Sequence, residues 1–131
     1  MANIYIIRGV PGSGKTTLGH RLREGGLVRH VLSADDWMVD EAGEYSFDPR
    51  RLSWCHKACK SATERALTEG EGVAVCNTFT RVWEMQPYVD MAKLLGCPMY
   101  VIKCEGGFQN VHGVPQSKVN QMRARFEEWL E

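Results

Sequence analysis

The sequence predicts a three-layer α/β/α domain around a mostly parallel sheet, and three observations carry that expectation. Short apolar, β-branched runs recur along the chain. Between them lie longer stretches whose apolar positions step by three and four, the helical period. Each run is followed by a polar or glycine-bearing segment. Alternation of strand and helix implies right-handed crossovers, and therefore parallel strands with helices packed on both faces. With 131 residues, the chain (1–131) reads as a single domain on the usual scale of roughly 100–200 residues per domain.

The elements follow in order. Residues 3–8 (NIYIIR) read as a buried strand that ends in glycine. After a glycine-rich turn, residues 15–24 read as a helix stopped by Gly25 and Gly26. Residues 28–32 are a second strand, running into Ser33-Ala34-Asp35-Asp36, and residues 37–47 have no firm period and read as a loop. Asp48 and Pro49 make a helix start, acid as N-cap and proline in the first turn. Leu52, Cys55, Cys59, Ala62 and Ala66 then form one buried face of a helix closing near Gly70. Residues 73–76 are a third strand, 84–95 a helix closed by Gly96, and 99–104 a fourth strand. A last helix from about Pro115 is expected to align Val119, Met122, Phe126 and Trp129 or Leu130.

Composition narrows the function classes. Hydrophobic residues are 44% and charged residues 24%, ordinary globular usage that argues against disordered, collagen-like and coiled-coil chains. Lys+Arg and Asp+Glu both number 16, net +0, so a bulk positive field over nucleic acid is excluded and any such binding must use local contacts. No apolar run approaches the roughly 18 residues of a membrane span, and the N-terminus lacks a basic lead into a long apolar segment. The expectation is a cytoplasmic protein with no membrane contact. Cys55, Cys59, Cys76, Cys97 and Cys104 are odd in number and lack paired CxxC spacing, which indicates neither a disulfide framework nor zinc. Cys55-His56 with Cys59 invites a metal reading, but the same spacing puts two small thiols on one buried helical stripe.

Ligands of parallel α/β folds bind beyond the carboxyl ends of the strands, which nominates residues 9–16, 33–36, 77–81 and 105–113. The first of these, Gly9-Val10-Pro11-Gly12-Ser13-Gly14-Lys15-Thr16, fits the phosphate-binding loop, with a strand before it and a helix after it. Glycines let successive amides and the helix N-terminus turn toward the phosphates of ATP. Gly9, Pro11, Gly12, Ser13, Gly14, Lys15, Thr16 and Thr17 are therefore the expected nucleotide-binding set. Lys15 supplies the cation for the β- and γ-phosphates and Thr16 a hard oxygen ligand for Mg²⁺. In the second segment, Asp35 or Asp36 can act as general base toward an acceptor hydroxyl, and either can instead cap a short helical turn. Trp37 and Trp83 flank the site loops and offer surfaces on which a base can stack, or pack in the core. His112 can contact phosphate or make an ordinary loop hydrogen bond.

GVPGSGKTT, SADDW, NTFTRVWEMQPYVDMA and NVHGVPQSKVNQMRARFE together resemble P-loop kinases of the polynucleotide kinase type, from Ile4 to about Phe126. The resemblance implies a kinase-type P-loop NTPase fold, with Asp35 as base on the acceptor hydroxyl and Lys15 and Thr16 in the family's lysine and hydroxyl positions. Asp36, Trp37, Asn77, Thr78, Arg81, Trp83 and His112 are the candidate substrate contacts. The chain departs from the family at Met38, where an arginine is common, at Cys76-Asn77-Thr78-Phe79, which lacks a carboxylate, and at Gly106-Gly107-Phe108-Gln109-Asn110-Val111-His112, which lacks the lid arginines. Arg81 or Arg123 are candidate replacements. The implied activity is transfer of the ATP γ-phosphate to a hydroxyl on DNA: a polynucleotide 5′ end, or the base of 5-hydroxymethyluracil, known among phage relatives. A nucleoside or sugar kinase and a non-catalytic nucleotide-binding module remain open. With the whole apparatus in 131 residues, no accompanying phosphatase module is expected.

Overall fold

Ile4, Ile6 and Ile7 are fully buried, because the strand that carries them, β1 (Ile4–Arg8), runs through the middle of the sheet. The computed structural model describes residues 2–107 and 113–129. β2 (His30–Leu32), β3 (Val73–Asn77) and β4 (Met99–Lys103) complete a four-stranded sheet in the order β2-β3-β1-β4, and all of its pairings are parallel. Ile4 stands opposite Val73 on one side and Met99 on the other. This register gives both central strands two covered faces and explains their continuous apolar reading.

Helices occupy both faces. Ile4, Ile6, Val73 and Val75 point toward Cys55, Cys59, Ala66 and Leu67 of α2 (Leu52–Thr68) and Met85, Tyr88, Val89 and Ala92 of α3 (Val82–Leu95). Ile7, Ala74 and Cys76 face the other way, toward Leu18 and Leu22 of α1 (Lys15–Glu24). Each buried aliphatic side chain contributes roughly 1.5–3 kcal/mol, so the two faces of the sheet outweigh any single cap. Cys55 and Cys59 are both fully buried while His56 is exposed; the thiols belong to the core stripe, and the histidine points away from them.

The boundaries differ from the sequence expectation in informative places. The helix expected from Asp48 begins as a 3-10 turn, Pro49–Arg51, with the Asp48 side chain accepting from the Arg50 amide at 3.0 Å. Residues 37–47, expected to be a loop, include a short hairpin held by the Val39–Tyr45 bridge. The last helix, α4, spans only Gln116–Ala124. Phe126 leaves it because its ring lies under the Arg8 guanidinium (4.3 Å) and the Lys103 ammonium (4.8 Å), while the Glu127 amide donates to the Thr80 carbonyl at 2.7 Å. Those contacts outweigh the helical propensity of the segment.

Candidate active site

The chain leaves β1 to one side, passing β3 to reach β2, and leaves β3 to the other side, passing β1 to reach β4. A crevice therefore opens between the carboxyl ends of β1 and β3, the place where such sheets bind ligands. Backbone hydrogen bonds tie the loops around it: Gly9 N–H to the Thr78 carbonyl (3.1 Å), Cys104 N–H to Arg8 (2.7 Å) and Gly106 N–H to Ser13 (3.1 Å).

In the loop after β1, the backbone demands glycine at Gly9, at Gly12 (φ 83°) and at Gly14. A Cβ at Gly9 would run into Ser13 Oγ and come within 2.7 Å of the Cys104 carbonyl. Gly14, the N-cap of α1, has φ 98°, a left-handed conformation, and provides no capping side chain. The first amides of α1 thus keep donor capacity for an anion. Ser13 Oγ is buried and has no hydrogen-bond partner among the described residues. An uncapped helix start and an orphaned buried hydroxyl in one loop fit a phosphate chain. Lys15 Nζ lies across this loop and donates to the Val10 carbonyl at 3.0 Å. Burial lowers the Lys15 pKa, with smaller opposing contributions from its acidic neighbours, Asp35 among them. Thr16 and Thr17 are exposed. Among the described residues no group of three or more His, Cys, Asp or Glu converges to hold a metal; a cation on the Thr16 hydroxyl would complete its shell with phosphate oxygens.

Across the crevice, Ser33 starts the 3-10 turn Ala34–Trp37. Its Oγ accepts from the Asp35 amide (3.3 Å), and its own amide donates to Asp36 Oδ2 (2.9 Å). Asp36 is therefore the capping carboxylate, and Asp35 is the half-buried one whose field reaches both Lys15 and Tyr45. Asn77 holds this turn from β3: its Oδ1 accepts from the Ala34 amide at 2.9 Å and from Ser33 Oγ at 3.4 Å, and its Nδ2 lies 3.9 Å from Cys59 Sγ. Asn77 is only 7% exposed, and both ends of its amide are used internally, holding the Asp35 turn. Met38, at the position where the resembled family commonly has an arginine, is 1% exposed in the core; here the position faces inward.

The remaining candidates divide. Trp37 is half-buried and packs against the main core, so it is not a freely offered face. Trp83, by contrast, is 73% exposed. Thr78 contributes its carbonyl to Gly9. Arg81 pairs with Glu127 at 3.7 Å, and Glu127 Oε1 also accepts from the Val82 amide at 2.8 Å. Arg123 is exposed on α4. His112 lies outside the described residues.

Two residues that sequence reasoning missed organise the floor of the site. Arg8, 1% exposed, donates from Nε (3.1 Å) and NH2 (2.7 Å) to the Phe79 carbonyl. Phe79 has φ 47°, the one positive φ at a non-glycine position among the described residues. Burial lowers the Arg8 pKa, opposed by Glu127 and Glu84. The signal was present in NIYIIR: a cation closing an otherwise apolar buried strand needs internal partners.

The family described as AAA domain matches residues 4–106. Human NEDD4-binding protein 2 is 29% identical over 140 residues, covering 97% of this chain, which spans only 8% of that protein's length. Among solved structures, one in the Pnkp1/Rnl/Hen1 RNA repair complex superposes with TM-score 0.72 at 16% identity, covering 95% of this chain and 44% of the other. A gluconokinase from Sinorhizobium meliloti superposes with TM-score 0.64 at 18% identity, covering 96% and 75%. The fold is that of the P-loop kinases.

Proposed function

This chain belongs to the AAA domain family, and on that premise we propose that it is an ATP- and Mg²⁺-dependent kinase acting on a nucleic-acid hydroxyl. The observation that carries the reading is the loop after β1, where an uncapped helix start, the orphaned buried Ser13 hydroxyl and Lys15 come together, with the Ser33-capped turn that carries Asp35 following β2 of the same sheet. A cation for phosphate and a carboxylate for an acceptor hydroxyl are the two groups that in-line phosphoryl transfer asks of a protein.

Bound ATP with Mg²⁺ supplies the γ-phosphoryl group and neutralises its charge. The amides of residues 12–16 and Lys15 hold the β- and γ-phosphates, and the Thr16 hydroxyl serves the metal. Asp35 orients the acceptor hydroxyl and takes its proton as the new O–P bond forms and the bond from the γ-phosphorus to the β,γ-bridging oxygen breaks. ADP leaves with that bridging oxygen. Asn77 and Ser33 hold the turn from which Asp35 works.

The same fold serves a gluconokinase and a protein of an RNA repair complex, so the fold does not choose the acceptor. Exposed aromatic rings near the Asp35 turn favour a base-bearing one. The test is γ-labelled ATP offered with DNA and RNA strands bearing 5′-hydroxyl ends, with duplexes carrying internal 5-hydroxymethyluracil, and with free nucleosides and sugars. Label on a polynucleotide supports the reading. Label confined to small molecules contradicts the acceptor assignment, and no transfer to anything contradicts the kinase itself.

A further inference from the structure

Beside the Asp35 turn lies a surface that the sequence did not single out. Tyr45, Phe47 and Trp54 are 40%, 59% and 52% exposed, unusual for three large aromatics in one short stretch of chain. They are connected. Val39 pairs with Tyr45, and the Ser46 amide donates to the Met38 carbonyl at 3.0 Å, so the hairpin carrying Tyr45 and Phe47 is fixed to the end of the Asp35 turn. Arg51 bridges hairpin and helix: its NH1 and NH2 donate to the Val39 and Trp37 carbonyls at 2.6 and 3.1 Å, and its guanidinium carbon sits 5.0 Å from the Trp54 ring centroid. At the inner end of the strip, burial and, to a smaller degree, the Asp35 carboxylate raise the Tyr45 pKa.

Charge on this strip is divided, with the acids on the hairpin and the cations on the helix side. Residues 49–63 contain Arg50, Arg51, Lys57 and Lys60 and no Asp or Glu, in a protein of net charge +0. Trp54 and Lys57, three apart, share the outer face of α2, opposite buried Cys55 and Cys59. Rings for bases interleaved with cations for phosphates are what a sequence-tolerant single-stranded nucleic-acid platform requires. The acidic residues of the hairpin, Asp40, Glu41 and Glu44, lie at its tip, and Asp48 is paired with Arg50. We infer that Tyr45, Phe47 and Trp54, with Lys57 and with Arg51 fixing the hairpin against the Trp54 ring, form the track along which a single-stranded polynucleotide reaches Asp35. The inference rests on the kinase reading for its direction and deepens it by naming the substrate class and the residues that grip it.

The experiment separates the two. Binding of a fluorescein-labelled single-stranded 12-mer, in DNA and in RNA form, is measured by anisotropy without ATP, for the wild type and for Trp54→Ala, Phe47→Ala, Lys57→Ala and Trp54→Phe. Each aromatic-to-alanine change is expected to weaken binding about 5- to 100-fold. Trp54→Phe should restore most of the affinity, and Lys57→Ala should flatten the salt dependence. Binding of an ATP analogue should be unchanged in all four, which also reports that the variants are folded. Wild-type affinity in Trp54→Ala and Phe47→Ala, or no binding of either 12-mer by the wild type, overturns the track. If strands are phosphorylated but the variants match the wild type, the track fails and the kinase stands. If strands bind through these residues and are never phosphorylated, the track stands and the kinase fails.

Discussion

The guanidinium of Arg8, the last residue of β1, grips the carbonyl of Phe79 with two hydrogen bonds, of 3.1 and 2.7 Å. The next residue, Gly9, bonds to the Thr78 carbonyl. The strand that launches the phosphate-binding loop therefore also fixes the loop after β3, and it does so at the one non-glycine residue with a positive φ among the described residues, Phe79 with φ 47°.

Arg8→Met is expected to destabilise the protein by about 1–3 kcal/mol, the cost of leaving the buried Phe79 carbonyl without a donor. Arg8→Lys should recover only part of it, since an ammonium cannot reproduce the two-pronged contact. Denaturant melts of both variants measure the difference.

Phe79→Gly relieves left-handed strain worth roughly 1–2 kcal/mol but removes a ring that is 2% exposed and packed edge-on to Tyr88 at 5.6 Å. Truncating a buried phenylalanine costs roughly 3–5 kcal/mol. Packing exceeds strain, so the same melts should show a net loss of stability; a more stable glycine variant would show that the strain had been underestimated.

Lys15→Met is expected to raise the melting temperature of the nucleotide-free protein by a few degrees while abolishing stabilisation by ATP. Burial lowers the Lys15 pKa below its ordinary 10.5, so the folded state carries a desolvated cation that methionine does not. The sign with pH follows from proton uptake. Between the folded-state pKa and 10.5 the unfolded chain binds more protons, and wild-type stability gains from this group as pH rises through that window. The gain should be missing from Lys15→Met in paired melts across alkaline pH.

Asp36→Ala removes the carboxylate that accepts from the Ser33 amide, and loss of a cap costs about 0.5–2 kcal/mol. Asp35→Asn leaves that cap in place and should change stability little. Thermal melts of the two variants side by side test whether the adjacent carboxylates divide their work in this way.

Much of this was legible in the sequence because the signals are local. The strand runs, the glycine pattern from Gly9 to Gly14, and Gly96 in its left-handed cap (φ 68°) after α3 each act within a few residues. What the sequence left unread depends on partners far along the chain. Arg8 meets Phe79 and Phe126, Asn77 meets Ala34, and Met38 turns into the core. α4 ended early for the same reason, since Phe126 and Glu127 answer to Arg8, Thr80 and Val82 rather than to helical period. The aromatic track was hidden because Tyr45, Phe47 and Trp54 fall on a hairpin and a helix that periodicity does not join.

The central claim is that Asp35 removes the acceptor proton while Lys15 and the loop amides hold ATP. Single-turnover transfer from γ-labelled ATP to a 5′-hydroxyl strand or a 5-hydroxymethyluracil duplex, wild type against Asp35→Asn, with ATP-analogue affinity measured on the same preparations, tests it most directly. A loss of transfer of about 100-fold or more at unchanged nucleotide affinity is the expected result. Transfer at the wild-type rate by Asp35→Asn would contradict the account.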